Sequence, residues 1–160
     1  MRIAIGTGGL ALIADQVSKW WVIERMALDQ RLFIPVLDPY LNFAMAWNRG
    51  VNFGLFGSDS DVMRWALIAL ALVICVVVWV WVRREGAGRG LQIGAGLMIG
   101  GALGNVIDRI RWGAVADFVN MSCCGFSNPW SFNIADAAIF AGAFVLILLS
   151  GRNAPPATKA

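Results

Sequence analysis

Val62–Val82 reads VMRWALIALALVICVVVWVWV. Its one charged side chain, Arg64, stands near the start, and no proline or glycine interrupts the run. The hydrocarbon core of a bilayer takes roughly 20 apolar residues of helix, so this stretch predicts a membrane-crossing helix. Three other runs of comparable length surround it: Ile3–Ile23, Leu91–Ile110 and Phe132–Leu149. Composition points the same way. Of 160 residues 59% are hydrophobic and 14% charged, against about 25% charged in a typical soluble domain. The mean hydropathy is +0.68. So few charges leave apolar surface that needs an apolar solvent. The expectation is one integral membrane domain over residues 1–160: an α-helical protein with four transmembrane helices.

Arg2 followed by Ile3–Ala14 has the make-up of a signal peptide, but no A-x-A site follows and apolar character resumes at Trp20–Ile23. An uncleaved first membrane helix is the better reading. Four spans place both termini on one side. The short loop after Val82 holds Arg83, Arg84 and Arg89, and Arg2, Arg152 and Lys159 share its side, which is therefore read as cytoplasmic. Arg25, Arg31, Arg49, Arg64, Arg109 and Arg111 lie on or near the other face, so the density of the short loop decides. In the third span Gly90, Gly94, Gly96, Gly100, Gly101 and Gly104 give small-xxx-small spacings, a signature of close helix packing.

The long connection after the first span contains RLFIPVLDPYLNFAMAWNRGVNFGLFG, residues 31–57. Pro35, Pro39 and Gly50 punctuate short apolar and aromatic runs, which predict two or three short strands outside the membrane. Arg111–Ser131 is a second external connection, with Trp112 and Trp130 suited to an interfacial belt.

The acids fall at one depth. With ~1.5 Å of rise per residue, Asp15 lies about 18 Å and Lys19 about 24 Å into a core ~30 Å thick. Asn105 and Asp108 lie near the outer end of the third span, and Asn133 and Asp136 about one turn into the fourth. Asp117 follows just outside the third span. No charged residue falls in the cytoplasmic half of any span. Ionisable groups in membrane helices are costly, and are either paired or functional. Asp15 and Lys19 have i,i+4 spacing and can pair on one face. Asp108 can brace the helix end while Arg109 snorkels to the interface. Asp117 in VADFV and Asp136 in FNIAD have no basic neighbour within a turn, which favours function for these two.

The absence of histidine excludes a Ser-His-Asp triad, a Cys-His pair and an HExxH zinc site. Cys75, Cys123 and Cys124 form no CxxC motif. No metal or cofactor is expected, and no dense basic patch suggests nucleic acid. Two facing carboxylates cannot both ionise. One charged member then takes a proton from water while the protonated member serves the scissile carbonyl and the departing amine. This is aspartic-peptidase chemistry. The nineteen-residue spacing of Asp117 and Asp136 allows it without proving it.

Five blocks in order, DQVSK (Asp15–Lys19), WNRGVNFG (Trp47–Gly54), GGALGNVIDR (Gly100–Arg109), VADFV (Val115–Val119) and FNIADAAI (Phe132–Ile139), resemble the signature of the lipoprotein signal peptidases, also called signal peptidase II. The resemblance implies a bacterial inner-membrane aspartic peptidase with four transmembrane helices, a small extracytoplasmic β-cradle and a short interfacial helix. Its substrates would be prolipoproteins cut just before a diacylglyceryl-modified cysteine, and globomycin would inhibit it from the substrate pocket. By resemblance Asp117 and Asp136 are the catalytic pair. Asp15, Lys19, Asn48, Gly50, Asn105, Asp108, Arg109 and Asn133 build or support the pocket.

NMSCCGFSNPWS, residues 120–131, matches no motif, and Cys123–Cys124 reads as two free thiols more readily than as a strained vicinal disulfide. A thiol oxidoreductase would need a second redox pair. A proton-coupled carrier would place its charges at the midplane and show repeats. A non-catalytic assembly module would tolerate Asp117→Asn.

Overall fold

The computed structural model describes residues 1–50, 60–84 and 87–150. Helix α1 (Arg2–Trp20) continues into a wider π-helical turn (Trp21–Arg25) and a short helix α2 (Leu28–Arg31). Strands β1 (Phe33–Leu37) and β2 (Leu41–Asn48) follow, then α3 (Ser60–Arg84), α4 (Arg89–Trp112), β3 (Val115–Asn120) and α5 (Ile134–Ser150).

Each of the four apolar runs forms a helix. α3 and α4, at 25 and 24 residues, are about 36 Å long, and both are long and apolar enough to cross a membrane. α5 is shorter, at 17 residues. α4 packs against α1, α3 and α5. Leu10, Val73, Val76, Phe140, Phe144 and Ile147 face outward, an apolar surface larger than water tolerates on a monomer.

Glycines let α4 approach its neighbours backbone to backbone. A Cβ on Gly100 would stand 2.8 Å from the Gly8 Cα, and one on Gly94 3.1 Å from the Gly142 carbonyl oxygen. Gly100→Ala is therefore expected to push α1 from α4, at a cost of about 1–3 kcal/mol. Gly9, with nothing within 4 Å of an added Cβ, is the control, where alanine should be neutral or slightly stabilising. Thermal unfolding in detergent compares the two.

The three strands form one antiparallel sheet in the order β1-β2-β3. Phe33 faces Ala44 across β1 and β2, and Ala46 faces Asp117 across β2 and β3. Two strands lie in the part of 31–57 that is described, and residues 51–57 lie outside it. The third strand, β3, falls within the connection Arg111–Ser131, where the sequence predicts no strand. Four of its first residues, Val115–Phe118, are buried, so VADFVN lacks the alternation that marks a half-exposed strand. Its partner is distant in sequence. Phe132, just before α5, also bridges to this strand: its N–H donates to the Val119 carbonyl at 3.0 Å and its carbonyl accepts the Val119 N–H at 2.8 Å.

A small core of Val22, Leu28 and Phe118 supports the sheet, with Phe43 edge-on to Phe118 at 5.8 Å. At the same end Arg111 lies over Trp112 at 4.5 Å, Trp112 meets Trp47 at 5.7 Å, and Arg25 lies over Trp20 at 5.0 Å. Aromatic and basic groups in this arrangement suit a membrane–water interface. A second core, Val78, Val82, Leu91, Ala95 and Leu146, closes the opposite end. Arg152 and Lys159, used in the orientation reading, lie outside the described residues.

Candidate active site

The polar side chains of α1, α4, β2, β3 and α5 converge beneath the sheet in two layers. The deeper layer is ionic. Lys19 Nζ lies 2.8 Å from Asp15 Oδ2 and 2.6 Å from Asp108 Oδ2, and all three side chains are fully buried. The i,i+4 pair is present, and Asp108 joins it as a third member. Each carboxylate also accepts a peptide N–H. Asp15 Oδ1 takes that of Ala135 at 2.9 Å, and Asp108 Oδ2 takes that of Ala116 at 3.2 Å. Ala135 and Ala116 are the residues immediately before Asp136 and Asp117. Gln16 Nε2 donates to Asp15 Oδ2 and Asp108 Oδ1, both at 3.1 Å. Buried charge is tolerated only when paired and hydrogen-bonded, and this layer meets both conditions.

The upper layer consists of amides and the two remaining carboxylates. Asn133 precedes α5, and its Oδ1 accepts the Asp136 N–H at 2.8 Å while Asp136 Oδ2 accepts the Asn133 N–H at 3.3 Å. This reciprocal pair caps the helix and places Asp136 in the first turn, where the helix dipole favours negative charge. Asn133 Nδ2 donates to Asp117 Oδ1 at 2.6 Å, so one side chain touches both acids. Asn105 Nδ2 donates to Asp136 Oδ1 at 2.9 Å, and its Oδ1 accepts from Lys19 Nζ at 3.4 Å. Asn48 Nδ2 donates to Asp117 Oδ2 at 3.1 Å. The Gly50 N–H donates to Asn48 Oδ1 at 3.0 Å, which fixes the amide's orientation. Gly50 has φ +90, a conformation that suits glycine.

Asp117 is 4% exposed and Asp136 half-buried. Among the described residues neither forms an ion pair. Burial, and then the charge of nearby Asp136, push the Asp117 carboxyl up to about 6, against the opposing effect of the Asn48 and Asn133 hydrogen bonds. Like charges held close disfavour double ionisation, which is the condition for sharing one proton.

Arg109 is part-buried, and its Nη1 donates to the Asn105 carbonyl at 3.2 Å. It lines, with Asn105, a groove of about 230 Å³ whose walls include Leu67, Leu70 and Ile74 of α3 and Ile139 of α5. Every site residue named from the sequence thus lies in this constellation, with Gly50 acting through Asn48 and Arg109 at the groove. Gln16 was missed. A polar residue inside an apolar span, one step from Asp15, was the available signal. The Ala116 and Ala135 N–H groups leave no such trace. Among the described residues, no group of three His, Cys, Asp or Glu side chains is arranged to hold a metal ion.

A family model described as signal peptidase (SPase) II matches residues 8–151. The chain belongs to the signal peptidase II family. A lipoprotein signal peptidase of Methylorubrum extorquens (strain PA1) is 44% identical, over 96% of this chain and 91% of that protein. One of Nitrobacter hamburgensis is 39% identical, over 98% and 96%. The fold is similar to a bacterial membrane enzyme solved in meso at 1.9 Å, with TM-score 0.75 and 25% identity, covering 94% of this chain and 93% of that one. A second such structure, at 2.3 Å, has TM-score 0.75 at 24% identity and covers all of this chain. The chain is accordingly a membrane peptidase of the signal peptidase II family, and the carboxylate cluster is its candidate catalytic centre.

Proposed function

We propose that this peptidase removes signal peptides from diacylglyceryl-modified prolipoproteins, cutting before the lipidated cysteine, with Asp117 and Asp136 as an aspartic dyad. The observation that carries the reading is Asn133, which bonds Asp117 directly and forms a two-way cap with Asp136. Asp117 holds the shared proton, since burial and the Asp136 charge raise it. Asp136, at the head of α5, is the charged member and takes a proton from the attacking water. Water adds to the scissile carbonyl, the Asp117 proton hydrogen-bonds the developing oxyanion, and the departing amine leaves protonated. Asp15, Lys19 and Asp108 support this pair, and Asn48, Gly50, Asn105 and Asn133 hold its oxygens. Arg109 and the groove beside it receive the substrate, and globomycin would compete there.

In this reading α1, α3, α4 and α5 all cross the bacterial inner membrane as one domain, with both termini cytoplasmic. The sheet and α2 are the external cradle and interfacial helix. The dyad then lies at the outer leaflet, where the acyl chains hold the scissile bond. Detergent-purified protein should shorten a diacylglyceryl-modified prolipoprotein and leave the unlipidated precursor intact. Cleavage of both forms equally, or of neither, would remove the substrate assignment.

Turnover should depend on pH through Asp117. The protonated form is required, so activity is lost as pH rises through about 6. Asn48→Ala removes a bond that favours the ionised form, and should move this alkaline limb upward by up to about one pH unit. A pH profile of kcat/KM for wild type and variant checks the sign.

A further inference from the structure

Residues 120–131, which the proposed reaction does not use, form a turn with an unusual chemical content. Cys123 and Cys124 are both exposed and free, whereas Cys75 is buried in α3. The Phe126 N–H donates to the Cys123 carbonyl at 2.8 Å, closing a tight turn with Cys124 and Gly125 at its centre. Both central residues have positive φ, 58 and 81. A left-handed cysteine is uncommon, and Asn, Asp or Gly ordinarily occupy such positions. The turn is anchored at its base. Asn120 Nδ2 donates to the carbonyls of Asn128 and Trp130 at 2.8 and 2.9 Å, and Ser122 Oγ accepts the Asn128 N–H at 3.0 Å. Consecutive in the chain, the two exposed thiols share this one turn. Cys123 also lines a cavity of about 320 Å³ whose walls include Phe33, Asp38, Asn42 and Phe126.

We infer that Cys123 and Cys124 form a two-thiol chelating site for a soft, trivalent metalloid electrophile of the organoarsenical class. A direct disulfide is the poorer product. Neighbouring Cα atoms across a trans peptide stand about 3.8 Å apart, short of the roughly 4.4 Å at which ordinary disulfides begin. A bridging atom between the sulphurs enlarges the ring and removes that constraint. The chemistry balances without an oxidant. The arsenic–oxygen double bond of an arsine oxide is replaced by two arsenic–sulphur bonds, the two thiol protons leave with the oxygen as water, and arsenic stays trivalent. The first bond makes the second intramolecular, which raises its effective concentration. The organic substituent has the adjoining cavity to enter.

The test uses the reduced, detergent-purified full chain and phenylarsine oxide. Intact mass should show one adduct per chain, with both solvent-accessible thiols lost together to a chromogenic disulfide reagent. Cys123→Ser and Cys124→Ser should each weaken binding about a hundredfold or more, while Cys75→Ser binds as wild type. Circular dichroism and size exclusion establish that the variants are folded. The inference is overturned if wild type takes no adduct, if it takes two, or if either folded single variant binds as tightly as wild type. None of these outcomes depends on peptidase activity, so they leave the reading of the catalytic centre untouched.

Discussion

Asp117→Asn and Asp136→Asn are each expected to lower prolipoprotein cleavage at least about a thousandfold, since each removes one half of the proton transfer. The substitutions should differ in stability. Asp117 is raised from the ordinary carboxylate value of 3.8 to about 6 in the folded chain, so the native state binds the proton more tightly than the unfolded state does. Stability then falls as pH rises from about 4 to about 6, and the penalty is complete above that range. Its size is about 3 kcal/mol at ~1.4 kcal/mol per unit, and loss of one hydrogen bond in the variant returns about 1 kcal/mol. Asp117→Asn should therefore be inactive and about 2 kcal/mol more stable than wild type at pH 7.5, with no gain at pH 4. Cleavage assays below pH 6, where wild type is active, paired with thermal unfolding at pH 4 and pH 7.5, check this. Persistent cleavage in either folded variant would dissolve the dyad. Unchanged stability of Asp117→Asn at pH 7.5 would remove the electrostatic account of Asp117.

Lys19→Met is expected to be the most damaging single change to the fold. Lys19 lies between Asp15 and Asp108 with no solvent exposure. Its removal leaves two buried carboxylates against one another, at a cost of about 3–5 kcal/mol, a large part of the 5–15 kcal/mol that stabilises an ordinary domain. Asp15→Asn/Lys19→Met/Asp108→Asn should recover most of the loss. Its amide oxygens still accept the Ala135 and Ala116 N–H groups, and no charge is stranded. Thermal unfolding of the single and triple variants separates the charge effect from the hydrogen bonds. A single variant that melts with wild type would show that the buried pair contributes nothing.

Some of this architecture was legible in the chain because it is local. The run Val62–Val82 has to be a helix in a solvent without hydrogen bonds, since only a helix satisfies its own backbone. Asp15 and Lys19 four positions apart share a face of α1 whatever surrounds them. The glycines of α4 signalled close packing by their spacing, and their contacts with Gly8 and Gly142 bear that out.

The sheet was only half legible. β1 and β2 announce themselves by turn residues and short apolar runs, whereas β3 is buried along most of its length and carries no periodic signal. Its strand character comes from β2, about seventy positions away in the chain, as in the pairing of Ala46 with Asp117. The blocks that resemble a peptidase signature named the acids and asparagines one by one, but not their bonding.

By itself, then, the sequence determined which segments are apolar enough to form long helices and where along them the carboxylates stand, because hydropathy and helical rise are properties of consecutive residues. The tertiary structure alone decided that Asn133 touches both Asp117 and Asp136, and that Asp108 and Asp15 accept the N–H groups of the alanines that precede them, Ala116 and Ala135. Those bonds join α1, α4, β3 and α5. The energies that set them, desolvation and the field of a neighbouring charge, depend on distance in space rather than along the chain.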